Sequence, residues 1–379
     1  MNGAPQCLLA HLAQLPDPRR AQGRRYPLAA LLGLVILGAL HGQSSLRGIW
    51  VWAEQHWTDV WPALGFRHAR FPALTTLWNV STQVDHRAVE RVLTTWLTQL
   101  ARPPLEGISA DGKVLRGSRR DEAVGLHLVS IVQHYRGVVL GQARVTGGDG
   151  ELGALLELLQ TVPLQGRVLT LDAGLLQHGV TRVVPRHGGA YLGVVKQNHR
   201  EIKAAIDSWL VAQGVAIALA ERRAADITTI EKNRGRVEER SVWLAEAGEL
   251  GDYLAREYGW WHVQQVGWLR RSQQRRPHLP WQTQEVTLVT SLSRQQAGPR
   301  AILQLLRDHW VIENKVHRVR DVSYREDQGH GRKSGQLLAW ARNVALSVMR
   351  MHGIRYIPDG WRFGSAHPDR VLMWLTDVP

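Results

Sequence analysis

Cysteine is almost missing: Cys7 is the only one in 379 residues. No disulfide can form within the chain, and multi-cysteine zinc sites are excluded. A reducing cytoplasm suits such a chain. Lysine is scarce too, with only residues 113, 196, 203, 232, 315 and 333 among 47 basic side chains. Long hydrophobic runs are also lacking. The longest, "YPLAALLGLVILGALHG" at 26–42, falls short of the ~20 residues of a bilayer span and lies far inside for a signal peptide. It reads as a buried helix, with Pro27 near its first turn and Gly42 closing it.

What is present in excess is positive charge. The 47 basic against 33 acidic residues give a formal net charge of +14, and the sequence pI is near 10.6. Such a balance points to a polyanionic partner and says little about fold. The basic set is almost wholly arginine, whose planar fork matches phosphate oxygens, and phosphate binding outweighs mere compositional drift toward arginine as its explanation. With 44% hydrophobic residues, there is ample material for a large core in two or three domains.

Residues 1–100 look helical. Ser44 or Ser45 can cap a helix beginning at "LRGIWVWAEQHW", and Asp85 can cap "HRAVERVLTTWLTQL". "ARPPLEG" at 101–107 breaks the pattern and makes a boundary. From residue 107 the period shortens. "GISADG", "LHLVSIVQHYRG" and "VVLGQARVTGG" read as strands, the last two joined around Arg136-Gly137. Helix then alternates with strand: "ELGALLELLQTV", "GRVLTLDAG", "HGVTRVVPRHG", "AYLGVVKQNH", and a helix over 200–212. The pattern predicts a mixed sheet with helices on its faces. Residues 226–295 read as a mostly β insertion around an Arg- and Trp-rich middle, and helices resume over 299–317 and 334–352. Residues 353–379 remain as a C-terminal tail.

Asp111, in "ISADGKVLRGSRR", and Asp172, in "TLDA", stand at or past the ends of predicted strands, the edge at which open α/β sheets bind ligands. Glu313, in "HWVIEN", sits on a helix after the insertion. Each has a plain explanation: a surface turn neutralised by Lys113 and Arg116, a helix cap, a solvated helix carboxylate beside Lys315 or Arg318. Together they make an oxygen-only set suited to Mg2+ or Mn2+, since three clustered carboxylates need a cation between them.

The motifs around these acids decide between the readings. The sequence resembles the DDE transposases of bacterial insertion sequences, in the subgroup of the H-repeat-associated proteins. The resemblance covers nearly the whole chain. It runs from "LPDPRRAQGRRYPLAALLGL" and "SSLRGIWVWA" through "ADGKVLRGS", "LHLVS", "VVLGQ", "TLDAGLLQ", "YLGVVKQN" and "HWVIENKVH" to "DVSYRED". It implies an N-terminal associated domain over 1–100 and an RNase H-like catalytic domain over 107–352. Asp111, Asp172 and Glu313 then fall on the family's metal-holding acids. Lys113, Arg116, Lys196, Asn198 and Arg236 match positions suited to DNA contact. Gln197 and His199 replace a Gly and a Gln of the family's Lys-Gly-Asn-Gln element, and Arg234 replaces a His before Arg236. Asp321 matches as a supporting or substitute ligand. Where the family shows Lys-Ser-Asn-Glu, this chain has "GDGE", keeping only Glu151.

His309, Glu313 and His317 recur at four-residue spacing on one helix face. Ligands spread over two turns of one helix do not converge on one ion, so the histidines are expected to flank Glu313 as accessory groups. Of 16 tryptophans, Trp50, Trp52 and Trp96 lie at helical spacing and read as core, while Trp260, Trp261, Trp268 and Trp281 fall in the insertion and could stack on a base. The expectation is a cytoplasmic, nucleoid-associated homodimer that cuts double-stranded DNA at transposon ends and joins the 3′ hydroxyl to a target. The competing readings are a degenerate relative that binds DNA without cutting, and a plain metal-dependent nuclease.

Overall fold

The computed structural model describes residues 7–98, 106–118, 125–215, 225–233, 235–276, 278–329 and 333–377. Two compact units divide the chain: Met1–Pro103, Asp111–Pro163 and Val311–Pro379 form the first, Pro104–Ala110 and Leu164–Trp310 the second.

The first unit opens with six helices: α1 (Leu8–Leu12), α2 (Leu28–Leu40), α3 (Leu46–Gln55), α4 (Trp57–Ala63), α5 (Leu74–Gln83) and α6 (His86–Thr98). Helix α2 is apolar on every side, and all but one of its residues are buried, as an all-round hydrophobic helix must be in water. Pro27 precedes its first turn, and Gly42 at φ +79° turns the chain out of it. The stretch Ala21–Leu40 is long and apolar enough to cross a membrane by length and composition, yet 72% of its apolar window is buried inside the protein. Ser45 caps α3 by accepting from Gly48 N–H at 3.0 Å, and Asp85 caps α6 through Arg87 and Ala88 N–H.

Strands β2 (Leu126–Gln133) and β3 (Val139–Arg144) form the antiparallel hairpin expected around Arg136-Gly137. Helix α7 (Gly150–Leu159) follows. The stretch read as a tail instead forms two helices, Ile357–Ala366 and Pro368–Thr376, and Val371 and Leu375 are fully buried. Apolar spacing in that stretch was enough to build packed helices.

Strand β1 (Glu106–Leu115) belongs to both units, its first five residues to the second and its last five to the first. In the first unit the strand order is β3-β2-β1; in the second it is β1, β4 (Arg167–Leu171), β5 (Ala190–Val195), β9 (Gln282–Thr290), β8 (Gln265–Gln274), β7 (Arg236–Glu246) and β6 (Ile227–Asn233). Strands β1, β4 and β5 are parallel, linked after β4 by helix α8 (His178–Arg186). Helix α9 (Arg200–Ala212) follows β5. The insertion supplies β6, β7, β8 and β9. Its β-rich character is as expected, but β9 pairs antiparallel with β5, so these strands extend the same sheet. They also enclose a helix, α10 (Glu249–Tyr258), with Glu249 and Asp252 in its first turn, where acids favour a helix start. Helix α11 (Pro299–Asp308) packs Ile302, Leu303 and Leu305 into a core with Val168, Leu192, Val242 and Leu288.

Candidate active site

In the first unit the site is built on β1. Asp111 is half-buried, and its Oδ1 accepts from the next amide, Gly112 N–H, at 2.8 Å. Its Oδ2 lies 3.4 Å from Nδ1 of His317. Two residues on, and therefore on the same strand face, Lys113 donates Nζ to both carboxylate oxygens of Asp321 at 2.5 and 2.6 Å. His317 and Asp321 are four residues apart, one turn along their helix. Two rungs thus join β1 to that helix: Asp111–His317 and Lys113–Asp321.

Glu313 lies four residues before His317 and is exposed. The segment Ile312–His317 is a π-helix, a wide turn found most often at functional sites. It runs into α12 (Arg318–Val322). His317 itself is buried, and its Nε2 has no hydrogen-bond partner among the described residues.

A pair not foreseen from the spacing stands beside Asp111. The carboxylate of Glu151 lies against Gly112, in the space that a Cβ there would occupy. Its Oε1 lies 2.6 Å from Nε2 of His127. The sequence held a trace of this: a glycine straight after the acid, and Glu151 retained where its motif neighbours are lost. Arg116 is exposed, with its backbone N–H bound by Asp327 at 3.1 Å; Arg119 and Arg120 lie outside the described residues.

In the second unit Asp172 directly follows β4 and is exposed. Its Oδ1 accepts from Leu175 N–H at 3.1 Å, the local turn that aspartate side chains favour. Asn198, in the short turn after β5, donates Nδ2 to Ala173 carbonyl at 2.7 Å and so fastens the Asp172 loop. His199 packs edge-on against Trp260, and burial pushes its pKa down although Leu176 and Ala173 carbonyls oppose the shift. His309 Nδ1 lies 3.1 Å from Oγ1 of Thr170, two residues before Asp172. Lys196 is exposed with no carboxylate partner among the described residues.

Arg236 stands away from that strand end, on β7. With Arg240 and Arg271 it surrounds the buried Glu238, Arg240 at 2.6 Å. Burial would raise that carboxyl's pKa, but the three guanidinium groups outweigh it and hold the value below the ordinary one. Trp260 is core, whereas Trp261 and Trp281 are exposed.

Asp111, Asp172 and Glu313 offer hard oxygen donors, and none is paired with a lysine or arginine among the described residues. That chemistry fits Mg2+ or Mn2+. No group of three His, Cys, Asp or Glu side chains poised to hold an ion occurs among the described residues.

A mixed sheet flanked by helices, with Asp111 inside β1 rather than at the strand end expected, Asp172 just past β4 and Glu313 on a wide helical turn, defines an α/β protein. The chain belongs to the DDE transposase family: residues 102–349 match the transposase DDE domain, and residues 9–97 match the DDE_Tnp_1-associated domain. It is of the H-repeat-associated kind. The "H repeat-associated putative transposase YhhI" of Escherichia coli (strain K12) is 24% identical over 356 residues, covering 90% of each chain. "Putative protein YbfL" of the same strain is 25% identical over 356 residues, again 90% of each chain. "Putative transposase YncI" of Escherichia coli O157:H7 is 23% identical over 353 residues, 91% of this chain and 87% of that one. Among solved structures, a piggyBac transposase synaptic complex with hairpin DNA aligns at TM-score 0.41 and 10% identity, over 97% of this chain and 77% of that one.

Proposed function

We propose that this transposase cuts DNA at the ends of an insertion element and joins the freed 3′ hydroxyl to target DNA, with Asp111, Asp172 and Glu313 as its catalytic acids. One contrast carries the reading. In the first unit Asp321 is claimed by Lys113 and Glu326 by Arg320 and Arg342, and in the second unit Glu238 is claimed by three arginines. The three family acids are left without lysine or arginine partners among the described residues.

Those acids would hold Mg2+ or Mn2+, which when bound activates water or a 3′ hydroxyl and stabilises the leaving oxygen of a phosphodiester. The chain's own residues supply orientation. Gly112 N–H and His317 fix the two oxygens of Asp111. Asn198 holds the loop that presents Asp172. Arg116 and Lys196, exposed near these acids in sequence, contact phosphates, and His309 steadies β4 beside Asp172 through Thr170. Lys113 contributes by seating Asp321 and its helix on β1, and Arg236 by neutralising Glu238. Two copies act together because two ends must be cut and joined.

The test is cleavage and joining of a labelled duplex carrying the element's own terminal sequence, in Mg2+ or Mn2+, with wild type beside Asp172→Ala. Metal-dependent 3′ ends and joined products, lost in the variant, are expected. Nicking without joining would reduce the protein to a nuclease. Salt-sensitive binding without cutting, the same in both proteins, would sink the catalytic assignment.

A further inference from the structure

The second unit leaves a sheet edge bare among the described residues. Strand β6 is last in the strand order and pairs there with β7 alone, antiparallel and without a break in register. Four of its seven residues, Ile227, Thr228, Thr229 and Ile230, are β-branched, and Ile230 is 67% exposed. We propose that β6 is the docking edge for a second copy of this chain, which adds its own β6 antiparallel across a two-fold axis and joins the two sheets. The inference gives a surface to the two-copy action of the proposed function and rests on that part of the reading alone.

The ladder fixes which backbone groups are on offer. Leu244 N–H donates to Asp226 Oδ2, on the β6 side of β7, at 2.7 Å. Ala247 N–H donates to Gln264 carbonyl, on the β8 side, at 2.9 Å. Amide direction alternates along a strand, so the even-numbered residues of β7 face β6. Val242, Arg240 and Glu238 stand opposite Ile227, Thr229 and Glu231, and these exchange hydrogen bonds. The amides and carbonyls of Thr228, Ile230 and Lys232 are therefore turned outward. Such a row is a template for another strand. Of the devices that blunt an edge, β6 has a lysine at 232 but neither proline nor bulge.

The order of residues along the edge suits its own copy. With the two-fold on Ile230, the outward residues meet one another: Ile230 meets Ile230, and Thr228 meets Lys232 twice. Each offers one N–H and one carbonyl, on the order of six hydrogen bonds in all. Between them Thr229 faces Glu231, so no like charges stand directly opposed, and the exposed Ile230 side chains cover each other. Moving the two-fold to Glu231 would set that carboxylate against its own copy. A contact of this isologous kind closes at two copies.

The surface beside the edge carries the matching charge. A groove of about 780 Å3 runs between Thr229 and the first turns of α11, and Arg300 and Arg307 line it. In the register centred on Ile230, Glu231 of the second copy stands opposite Thr229 and on the same sheet face, at this groove. Arg300 is exposed with no carboxylate partner among the described residues, and Arg307 pairs with Glu231 of its own chain. The incoming carboxylate thus arrives where positive charge is in excess.

The experiment is sedimentation of the full chain over a range of concentrations, without DNA and in a chelator. Wild type is expected to form a reversible dimer. Ile230→Pro removes an outward amide that β7 does not use, and Ile230→Asp opposes two carboxylates at the two-fold. Each should weaken dimerisation by at least about 30-fold, while Ile230→Val keeps it. A linking test leaves the strand nearly native. Cys7 is the only cysteine, so Cys7→Ser with Ile230→Cys should give covalent dimers with a short bismaleimide. Cys7→Ser with Val211→Cys, exposed on α9, should not. A monomeric wild type, undiminished dimerisation in Ile230→Pro or Ile230→Asp, or linking at 211 but not at 230 would overturn the proposal. A dimer that survives both substitutions would remove this surface and leave the two-copy reading standing, and cleavage enters neither outcome.

Discussion

At the scale of single residues, the acids expected from the sequence and the groups that orient them have different origins. Asp111 was named from its motif and His317 from its spacing to Glu313, but only the folded chain sets the imidazole 3.4 Å from the carboxylate. His317 is therefore a positioning residue for Asp111. Replacing it with Ala is expected to lower cleavage about 10–100-fold, the usual cost of removing a group that orients a metal-holding side chain. The same variant should bind DNA unchanged, and its metal-concentration dependence should shift to higher metal. Full activity at low metal would show that the contact is structural only. Lys113 illustrates the opposite case. Its match suggested a phosphate contact, yet its ammonium is spent on Asp321, 208 residues away, a distance over which no spacing rule reports.

At the scale of elements, β1 and the helix carrying His317 and Asp321 meet through two rungs, because a two-residue strand repeat can face a four-residue helix repeat. If the Lys113–Asp321 rung seats that helix, reversing either charge alone should lower the melting temperature. The double exchange, Lys113→Asp with Asp321→Lys, should recover most of the loss. Asp321 is about one-third exposed, so solvent screening limits the coupling to about 0.5–1 kcal/mol. Additive losses in a double-mutant cycle would show that the helix is seated by other contacts. The single helix expected over 299–317 divides instead into α11 (Pro299–Asp308) and, after a turn at His309 and Trp310, the π-helical Ile312–His317, so His309 does not continue the helix that carries Glu313 and His317.

At the scale of the whole molecule, the first unit encloses a polar network that no local pattern exposes. Glu90 on α6 accepts from Gln142 on β3 at 3.1 Å, Gln142 also meets Asn343 at 2.8 Å and Arg320 at 3.3 Å, and Arg320 and Arg342 share Glu326. Burial pushes the Glu90 carboxyl up to about 8, against the lowering effects of Gln142 and Arg320. A carboxyl raised by folding adds stability that is whole below its ordinary value and is lost as pH climbs through the raised one. The window here runs from about pH 4.5 to 8. Between pH 5 and 9 the melting temperature of wild type is expected to fall by roughly 5 °C more than that of Glu90→Gln. Parallel pH profiles for the two proteins would show that Glu90 is ionised in the fold.

What the sequence determined by itself is whatever is written in short spacings. An unbroken apolar run marked α2 and helical period marked α6 and α9; strand period and the Arg136-Gly137 turn marked β2 and β3; the order of motifs assigned the family. These features depend on hydrogen bonds and side-chain repeats within a few residues. Only the tertiary structure decided that β9 adds to β5 and carries the insertion into the sheet, that Glu151 reaches Gly112, that Lys113 belongs to Asp321, and that Glu90 is buried. Each of those is a choice among many long-range partners of similar chemistry. It is settled by which apolar faces must be covered together, a sum over the whole core that no single stretch of sequence contains.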